Sequence, residues 1–350
     1  MAQAEERHER HGGKGAEKRS ADCIWPQMKE KNDNKGGESM VNILITGGAG
    51  YLGTALCDAL DEDPGVGKIT VYDALIRGDR RFLLRQKPYR KVRFVQGDIL
   101  ETEKLEKACC GHDVVVHLAA FVDEPYHQVQ HLQYDQTNGY GSLSVVRAVE
   151  SLPEVRRAIC VSSSAVYGFR DGIRWTDAPA PSNGYGQSKW LGERYFEQLA
   201  SFGKQVDVLR CAQIFGANRA MRFDTVIHAF MLEALTGGRV DVFGDGRQMR
   251  AFVDIDRVVR VIRGRALDGV TKGGVSTEFV AAFQSSVATL LNWLTDQIPS
   301  TEYLYLTPNV TLPGQRFEGL GGLDLALMNQ ALVDFEAMLS IRTSVKSGRV

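Results

Sequence analysis

The chain has 350 residues, 43% of them hydrophobic, and a formal net charge of −1. That is enough apolar material for a large core, in two lobes or in one large α/β domain with an appendage. The near-zero charge gives no electrostatic case for nucleic acid or an anionic membrane as partner, so any anionic ligand must be held by a local cluster.

Met1 to Ser39 are rich in Glu, Lys, Arg, His and Gly, with few apolar residues and no periodicity. They are expected to form a disordered extension, with Met40 a natural start. No apolar h-region opens the chain and no run approaches a membrane span, so a cytoplasmic protein is expected. The six cysteines (Cys23, Cys57, Cys109, Cys110, Cys160, Cys211) show no C-x-x-C spacing and no His-rich companion. They read as buried reduced thiols, with no metal-ligand set among them.

From Met40 onward strand and helix patterns alternate. Val41–Ile45 is a strand that runs into Thr46-Gly-Gly-Ala-Gly-Tyr-Leu-Gly53, and Leu52–Leu60 reads as the helix after it. Gly47, Gly50 and Gly53 form G-x-x-G-x-x-G at this junction. A side chain at the first would block the tight turn, one at the second would keep a pyrophosphate from the backbone, and one at the third would separate helix from sheet. The helix start then offers free N–H groups and a positive dipole end to phosphates.

Lys68–Tyr72 and Lys91–Val95 are the next strands. Asp73 ends the first of them, 20 residues past Gly53, where a carboxylate accepts hydrogen bonds from an adenosine ribose and repels a 2′-phosphate. NAD is therefore favoured over NADP. Arg77, Arg80 and Arg81 read as a solvated basic turn, and Asp98 as a turn aspartate placed to meet adenine. Thr102–Cys110 is helical, Asp113–His117 a buried strand, and His131–Ser151 one long helix. Ala158–Val161 is another buried strand, Tyr185–Phe202 a helix, and Val206–Leu209 the next strand. This βαβα rhythm predicts an α/β fold, a Rossmann-type doubly wound parallel sheet. After Phe215 the rhythm breaks. Val226–Leu235 and Arg257–Ala266 read as helices and Val240–Phe243 as a strand. The expected division is an extension over 1–39, a NAD-binding domain over 40–215 with later segments returning to it, and a smaller substrate lobe over 216–350.

Tyr185 and Lys189 stand four apart and share a helix face. There an ammonium favours the phenolate and makes Tyr185 a candidate acid/base at a carbinol or carbonyl. A dinucleotide cradle together with a tunable phenol points to hydride transfer at a hydroxyl-bearing carbon.

At these residues the chain resembles the extended short-chain dehydrogenase/reductase family, in its sugar-nucleotide epimerase/dehydratase branch. The resemblance covers about Met40 to Ile262. It rests on Thr46–Gly53, Asp73, Gly97-Asp-Ile99, His117-Leu-Ala-Ala120, Thr137-Asn138, Ser162-Ser-Ser-Ala-Val-Tyr-Gly168, Tyr185-x-x-x-Lys189, Leu209-Arg210 and Gly244-Asp-Gly-Arg-Gln-Met-Arg250. It implies that Gly47, Gly50, Tyr51, Leu52, Gly53, Asp73, Asp98, Ile99, Leu118, Ala119 and Ala120 bind NAD along with Tyr185 and Lys189. It implies that Ser163 bonds the sugar oxygen at C4, that Tyr185 exchanges its proton, and that Lys189 holds the nicotinamide ribose. Ser162 and Ser164 are rivals for the serine's role. Asn138 is expected to brace backbone, and His117 to be a packed strand-end residue. Ser164, Gln213 and Arg250 join Ser163 and Tyr185 as implied substrate contacts, Arg250 on the diphosphate, with Arg316 a weaker second arginine. The branch also implies a homodimer through two long helices per subunit.

The chain departs from this pattern in several places. Arg250 is followed by Ala251 where an acid is usual, Asp254 stands where an aromatic or His is usual, and Arg257 replaces an Asp. Gln213-Ile-Phe-Gly216 replaces Asn-Val-Tyr-Gly. Ser164 and Ala165 occupy the places of the Asp–Glu pair of 4,6-dehydratases, which argues against that elimination. Asp123 and Glu124 read as a solvated loop, or as substitute acids. The expectation is an NAD-dependent sugar-nucleotide C4 epimerase. The alternatives are a 4-ketosugar-nucleotide reductase, an atypical dehydratase, or a non-catalytic dinucleotide-binding protein.

Overall fold

The computed structural model describes residues 40–76, 80–122, 131–269 and 273–347. The expected extension over 1–39, Arg77 and the pair Asp123–Glu124 lie outside the described residues. In chain order, β1 (Val41–Thr46) enters α1 (Tyr51–Asp61), followed by β2 (Val66–Asp73), β3 (Val92–Gln96), α2 (Thr102–Cys109) and β4 (Val114–His117). Next come the short α3 (His131–Gln133), a π-helical stretch (Tyr134–Tyr140) and α4 (Gly141–Glu150). β5 (Arg157–Ser163) ends in a 3-10 turn (Ser164–Tyr167), then α5 (Gly184–Glu197), β6 (Gln205–Cys211) and β7 (Gln213–Phe215). The remainder is α6 (Val226–Thr236), β8 (Arg239–Val242), β9 (Met249–Asp254), α7 (Ile255–Leu267), β10 (Gly274–Val280), β11 (Phe283–Ser286), α8 (Val287–Gln297), β12 (Glu302–Tyr305) and α9 (Leu325–Ser347).

The main sheet has seven strands in the order β10-β6-β5-β4-β1-β2-β3, and every pairing is parallel. Its central strands are apolar through their middles because both faces are covered: Ile43, Leu44 and Ile45 are all buried, as are Val114 to Val116. On one face α1 packs on α7, and on the other α2 and α5 flank α4. The strand order reverses between β1 and β4, so Thr46 lies beside both Tyr72 and His117. The crevice at such a switch point, beyond the carboxyl ends of the strands, is where doubly wound sheets bind ligands.

One expected helix differs. The run from His131 is not a single α-helix but widens into π geometry over Tyr134–Tyr140 before α4. The stretch carries Asn138, whose amide closes on the backbone of Phe121 at both N–H and C=O, and it ends at Gly141. A Cβ at Gly141 would lie 2.4 Å from the Ile99 side chain. Apolar spacing does not register such a widened turn.

The chain after β6 is shared between two places. β10 edges the main sheet beside β6. β7, β9 and β11 form a three-stranded sheet, and β8 pairs with β12. Around them Phe215, Phe252, Phe283, Leu290 and Phe335 form a separate apolar core. Among the described residues no helix is long and apolar enough to cross a membrane. Cys57, Cys109, Cys110, Cys160 and Cys211 are buried and form no disulfide among the described residues.

Candidate active site

One cleft of about 1220 Å³ runs along the carboxyl ends of β1, β2, β4 and β5 and under the C-terminal segments. Its floor is the glycine turn. Gly47 has φ +69°, and a Cβ there would sit 2.5 Å from the Ala119 nitrogen. Only glycine takes that backbone at so close an approach. A Cβ on Gly53 would lie 2.5 Å from Gly48, so this glycine lets α1 fold back onto the turn. Gly50 is extended and begins α1 with no side-chain cap, and no acid occupies the first helical turn. The uncommitted first-turn N–H groups therefore open on the cleft wall formed by Gly50, Tyr51, Leu52 and Gly53. Such a terminus suits a pyrophosphate, and the residues present fit a dinucleotide.

Asp73 closes this end. One carboxylate oxygen accepts from Ala49 N at 3.0 Å and the other from Leu75 N at 2.8 Å. Burial raises its pKa against the pull of those two N–H bonds. Leu75 is held in the left-handed region, at φ 53°. Asp98, whose own carboxylate accepts from Leu100 N, lines the same end with Ile99 and Arg81, while Arg80 is exposed. Leu118, Ala119 and Ala120 line the opposite side of the turn.

The three consecutive serines separate cleanly. Ser162 donates to buried Glu193, which is itself gripped by Arg210. Ser164 donates to Gln315 at 3.2 Å. Ser163 accepts from Ala165 N at 3.2 Å and caps the 3-10 turn, which leaves its own proton uncommitted among the described residues. Its hydroxyl thus serves as a turn cap and remains a donor to the cleft.

Tyr185 and Lys189 also line the cleft, one turn apart on α5. Asn183 caps this helix by accepting from Gly186 N at 2.7 Å. Buried Lys189 donates to Val161 O at 2.6 Å, which fixes its ammonium beside the end of β5. The Tyr185 ring lies 5.8 Å from that of Tyr134, and its hydroxyl has no hydrogen-bond partner among the described residues. Asn138 braces the surrounding backbone through Phe121 and also donates to Ser188 Oγ at 3.1 Å. His117 is wedged between Thr46 Oγ1 (2.8 Å) and Ser142 Oγ (3.0 Å). Burial and the Lys189 charge lower its pKa to about 3, so it is a neutral, packed residue.

The facing wall comes from the second core. Arg250 donates to Met249 O at 2.9 Å and Pro313 O at 2.8 Å, with its guanidinium 5.3 Å from the Phe169 ring centre. Gln213 and Ala251 line the cleft. Asp254 turns away to cap α7 through Arg257 N, and the side chains of Arg257 and Arg316 are exposed. A loop over 216–225 completes this wall, and His228 ties its two ends. His228 Nε2 accepts from Gly216 N at 3.0 Å, so Nδ1 carries the hydrogen and donates to Arg222 O at 2.7 Å. Tyr51 joins the loop to the glycine turn: its hydroxyl donates to Gly216 O at 2.6 Å, and its own carbonyl accepts from Asn218. Sequence reasoning missed Gln315, His228 and the bridging role of Tyr51. Asn183 was readable as a helix cap, since Asn before a helical pattern is a standard start signal.

This sheet, turn and Tyr-x-x-x-Lys helix on one cleft define a nicotinamide-dinucleotide enzyme of the extended short-chain dehydrogenase/reductase class. Residues 43–275 match the NAD dependent epimerase/dehydratase family; the chain belongs to that family, and its cofactor is NAD. It is 29% identical over 243 residues to an uncharacterized UDP-glucose epimerase, YtcB, of Bacillus subtilis, covering 63% of this chain and 71% of that protein. It is 30% identical over 247 residues to dTDP-glucose 4,6-dehydratase of Streptomyces griseus, covering 67% and 74%. Among solved structures it resembles UDP-glucuronic acid 4-epimerase of Bacillus cereus in complex with UDP-glucuronic acid and NAD. That likeness has a TM-score of 0.69 at 24% identity and covers 84% of this chain and 93% of that one.

Proposed function

We propose that the chain is a sugar-nucleotide epimerase acting at C4 of the sugar. The observation that carries this reading is the meeting in one cleft of three groups: Ser163 and Tyr185, whose hydroxyls have, among the described residues, respectively an uncommitted proton and no partner, and Lys189 fixed by Val161. Bound NAD would supply a ring that accepts and returns hydride. Tyr185 takes the proton of the C4 hydroxyl, and Ser163 donates to the same oxygen as negative charge builds on it. Lys189 orients the dinucleotide ribose. The 4-keto sugar turns within the cleft, so that hydride would come back to the other face of C4 while Tyr185 returns the proton to the oxygen. The carboxylates lining the described part of the cleft are Asp73 and Asp98 at the glycine-turn end and Asp224, which is paired with Arg222. Ser164 and Ala165 offer no acid beside Ser163, which favours epimerisation over water loss.

Within this proposal residues 40–215, with β10 returning, hold the dinucleotide, and residues 216–350 mainly hold the sugar nucleotide. Arg250 and Gln213 face the diphosphate and sugar. The five buried cysteines, which form no disulfide among the described residues, suit a reducing, cytoplasmic setting. Exposed Leu132, Tyr140, Trp190 and Leu191 lie on α3, the π-helical stretch and α5, and we assign them to a homodimer interface. Sedimentation as a monomer would refute that interface.

Two measurements test the activity. Purified protein should interconvert UDP-glucose and UDP-galactose with no added coenzyme, whereas an absolute need for external NADH would make it a reductase. Tyr185→Phe should lower turnover about 10²–10⁴-fold, the usual contribution of a positioned acid/base. Turnover untouched by that change would remove the mechanism.

A further inference from the structure

Gln315 lies 151 residues from Ser164 in sequence and outside the 43–275 span that matches the family. Its side chain is buried, with 4% exposure, and every hydrogen-bonding position of its amide except one acceptor lone pair is committed. Oε1 accepts from Ser164 Oγ at 3.2 Å. Nε2 donates to Ser164 O at 2.9 Å and to Gly168 O at 2.7 Å. Two carbonyls facing one NH₂ fix the amide's orientation, because the flipped amide would set oxygen against oxygen. These carbonyls belong to the two ends of the turn that Ser163 caps. The Gln315 backbone is anchored on the other side, where its N–H donates to Met249 O at 2.9 Å. The neighbouring Gly314 leaves no room for a Cβ, which would sit 2.7 Å from Met249 N. Pro313 O receives Arg250. A single short segment therefore clamps the serine turn with one residue and the cleft arginine with another.

We infer that Gln315 is a positioning residue for the reaction: it holds the Ser163–Gly168 turn so that the Ser163 hydroxyl points at the reacting oxygen. It also occupies the Ser164 hydroxyl, which leaves Ser163 as the serine that can donate into the cleft. The inference rests on the epimerase reading and deepens it. Gln315 makes three hydrogen bonds to this turn and none of them reaches the cleft floor, so its loss should slow chemistry more than it weakens binding.

The test uses the as-purified holoenzyme and UDP-glucose as probe, following reduction of the bound nicotinamide after rapid mixing. Gln315→Leu should slow that reduction about 10²-fold at saturating probe, as expected for a reacting group displaced by about 1 Å, while the affinity for UDP stays unchanged. Gln315→Glu keeps the shape but sets a carboxylate against two carbonyls. Its rate should recover as pH falls and the new carboxyl takes a proton that it can donate. A leucine variant with the wild-type rate, or a glutamate variant whose pH profile parallels wild type, overturns the inference. Amide exchange reads the same clamp without substrate. In Gln315→Leu the N–H groups of Ala165 and Gly168 should exchange faster while β5 stays protected, and unchanged exchange there also overturns it. Tyr185→Phe, run alongside, separates the two ideas. If that variant reduces its coenzyme at the wild-type rate, the epimerase reading fails, and the positioning role is then judged on exchange alone.

Discussion

On the dinucleotide side of the cleft, the wall from Gly47 to Ala120 is shaped largely by close approaches at glycines, and that of Gly47 to Ala119 joins residues adjacent at the switch point of one sheet. On the facing side, the loop over 216–225 and the segment around Gln315 are held by side-chain hydrogen bonds, some reaching across 151 or 165 residues. The first wall depends on what is absent from a few positions, the second on what is present at many. A steric wall fails outright when an atom is added. A tethered wall should loosen by degrees as single bonds are removed or titrated.

The largest effect is expected at Gly47. Gly47→Val places a branched side chain at φ +69° beside Ala119 N. Backbone strain alone costs about 1–3 kcal/mol before the clash is counted. Protein purified from this variant should carry no NAD, as mass spectrometry of the denatured sample would read; a variant with its coenzyme intact would mean that the cradle is not steric at all. A smaller effect should come from acid acting on the tethered wall. His228 has its pKa lowered to about 4 from the ordinary 6.5, chiefly by burial. Below pH 6.5 the unfolded chain protonates this histidine while the folded one does not, so its contribution is complete above 6.5 and is lost as pH falls toward 4. The full loss is about 3 kcal/mol. Denaturation midpoints measured across that window should fall more steeply for wild type than for His228→Gln, which can still accept from Gly216 and donate to Arg222. Parallel curves would clear His228 of the role. The smallest change should lie at the seam between the walls. Tyr51→Phe removes one bond to Gly216 O and should cost about 1 kcal/mol with NAD retained. Loss of the coenzyme from this variant would show that the two walls are not separable.

That contrast also explains what the sequence disclosed. The strands of the main sheet, the glycine turn, Asp73 and the Tyr185–Lys189 pair are local patterns, written within a few residues by period, turn chemistry or helix spacing. Choosing among Ser162, Ser163 and Ser164 needed Glu193 and Gln315, both remote in sequence. β11, α8 and α9 escaped notice because their identity is set by packing in the second core, β12 because it is a short, mostly exposed strand, and the π-helical stretch because a widened turn breaks the helical period. The return of β10 to the main sheet was expected only as an unplaced segment. Its partner β6 lies far back along the chain, and nothing in the intervening residues names it.

The five buried thiols give the molecule its own gauge of opening. Cys211 lines the cleft and Cys110 ends α2, but Cys57, Cys109 and Cys160 lie within or against the parallel sheet, and burial lifts Cys160 to about 12. Thiolate is the nucleophile, so alkylating reagents must wait for the sheet to part before these sulfurs react. With Cys23, Cys110 and Cys211 each replaced by serine, the pace of labelling becomes a clock for cooperative unfolding. If NAD and a sugar nucleotide clamp the two halves together, each should slow that clock.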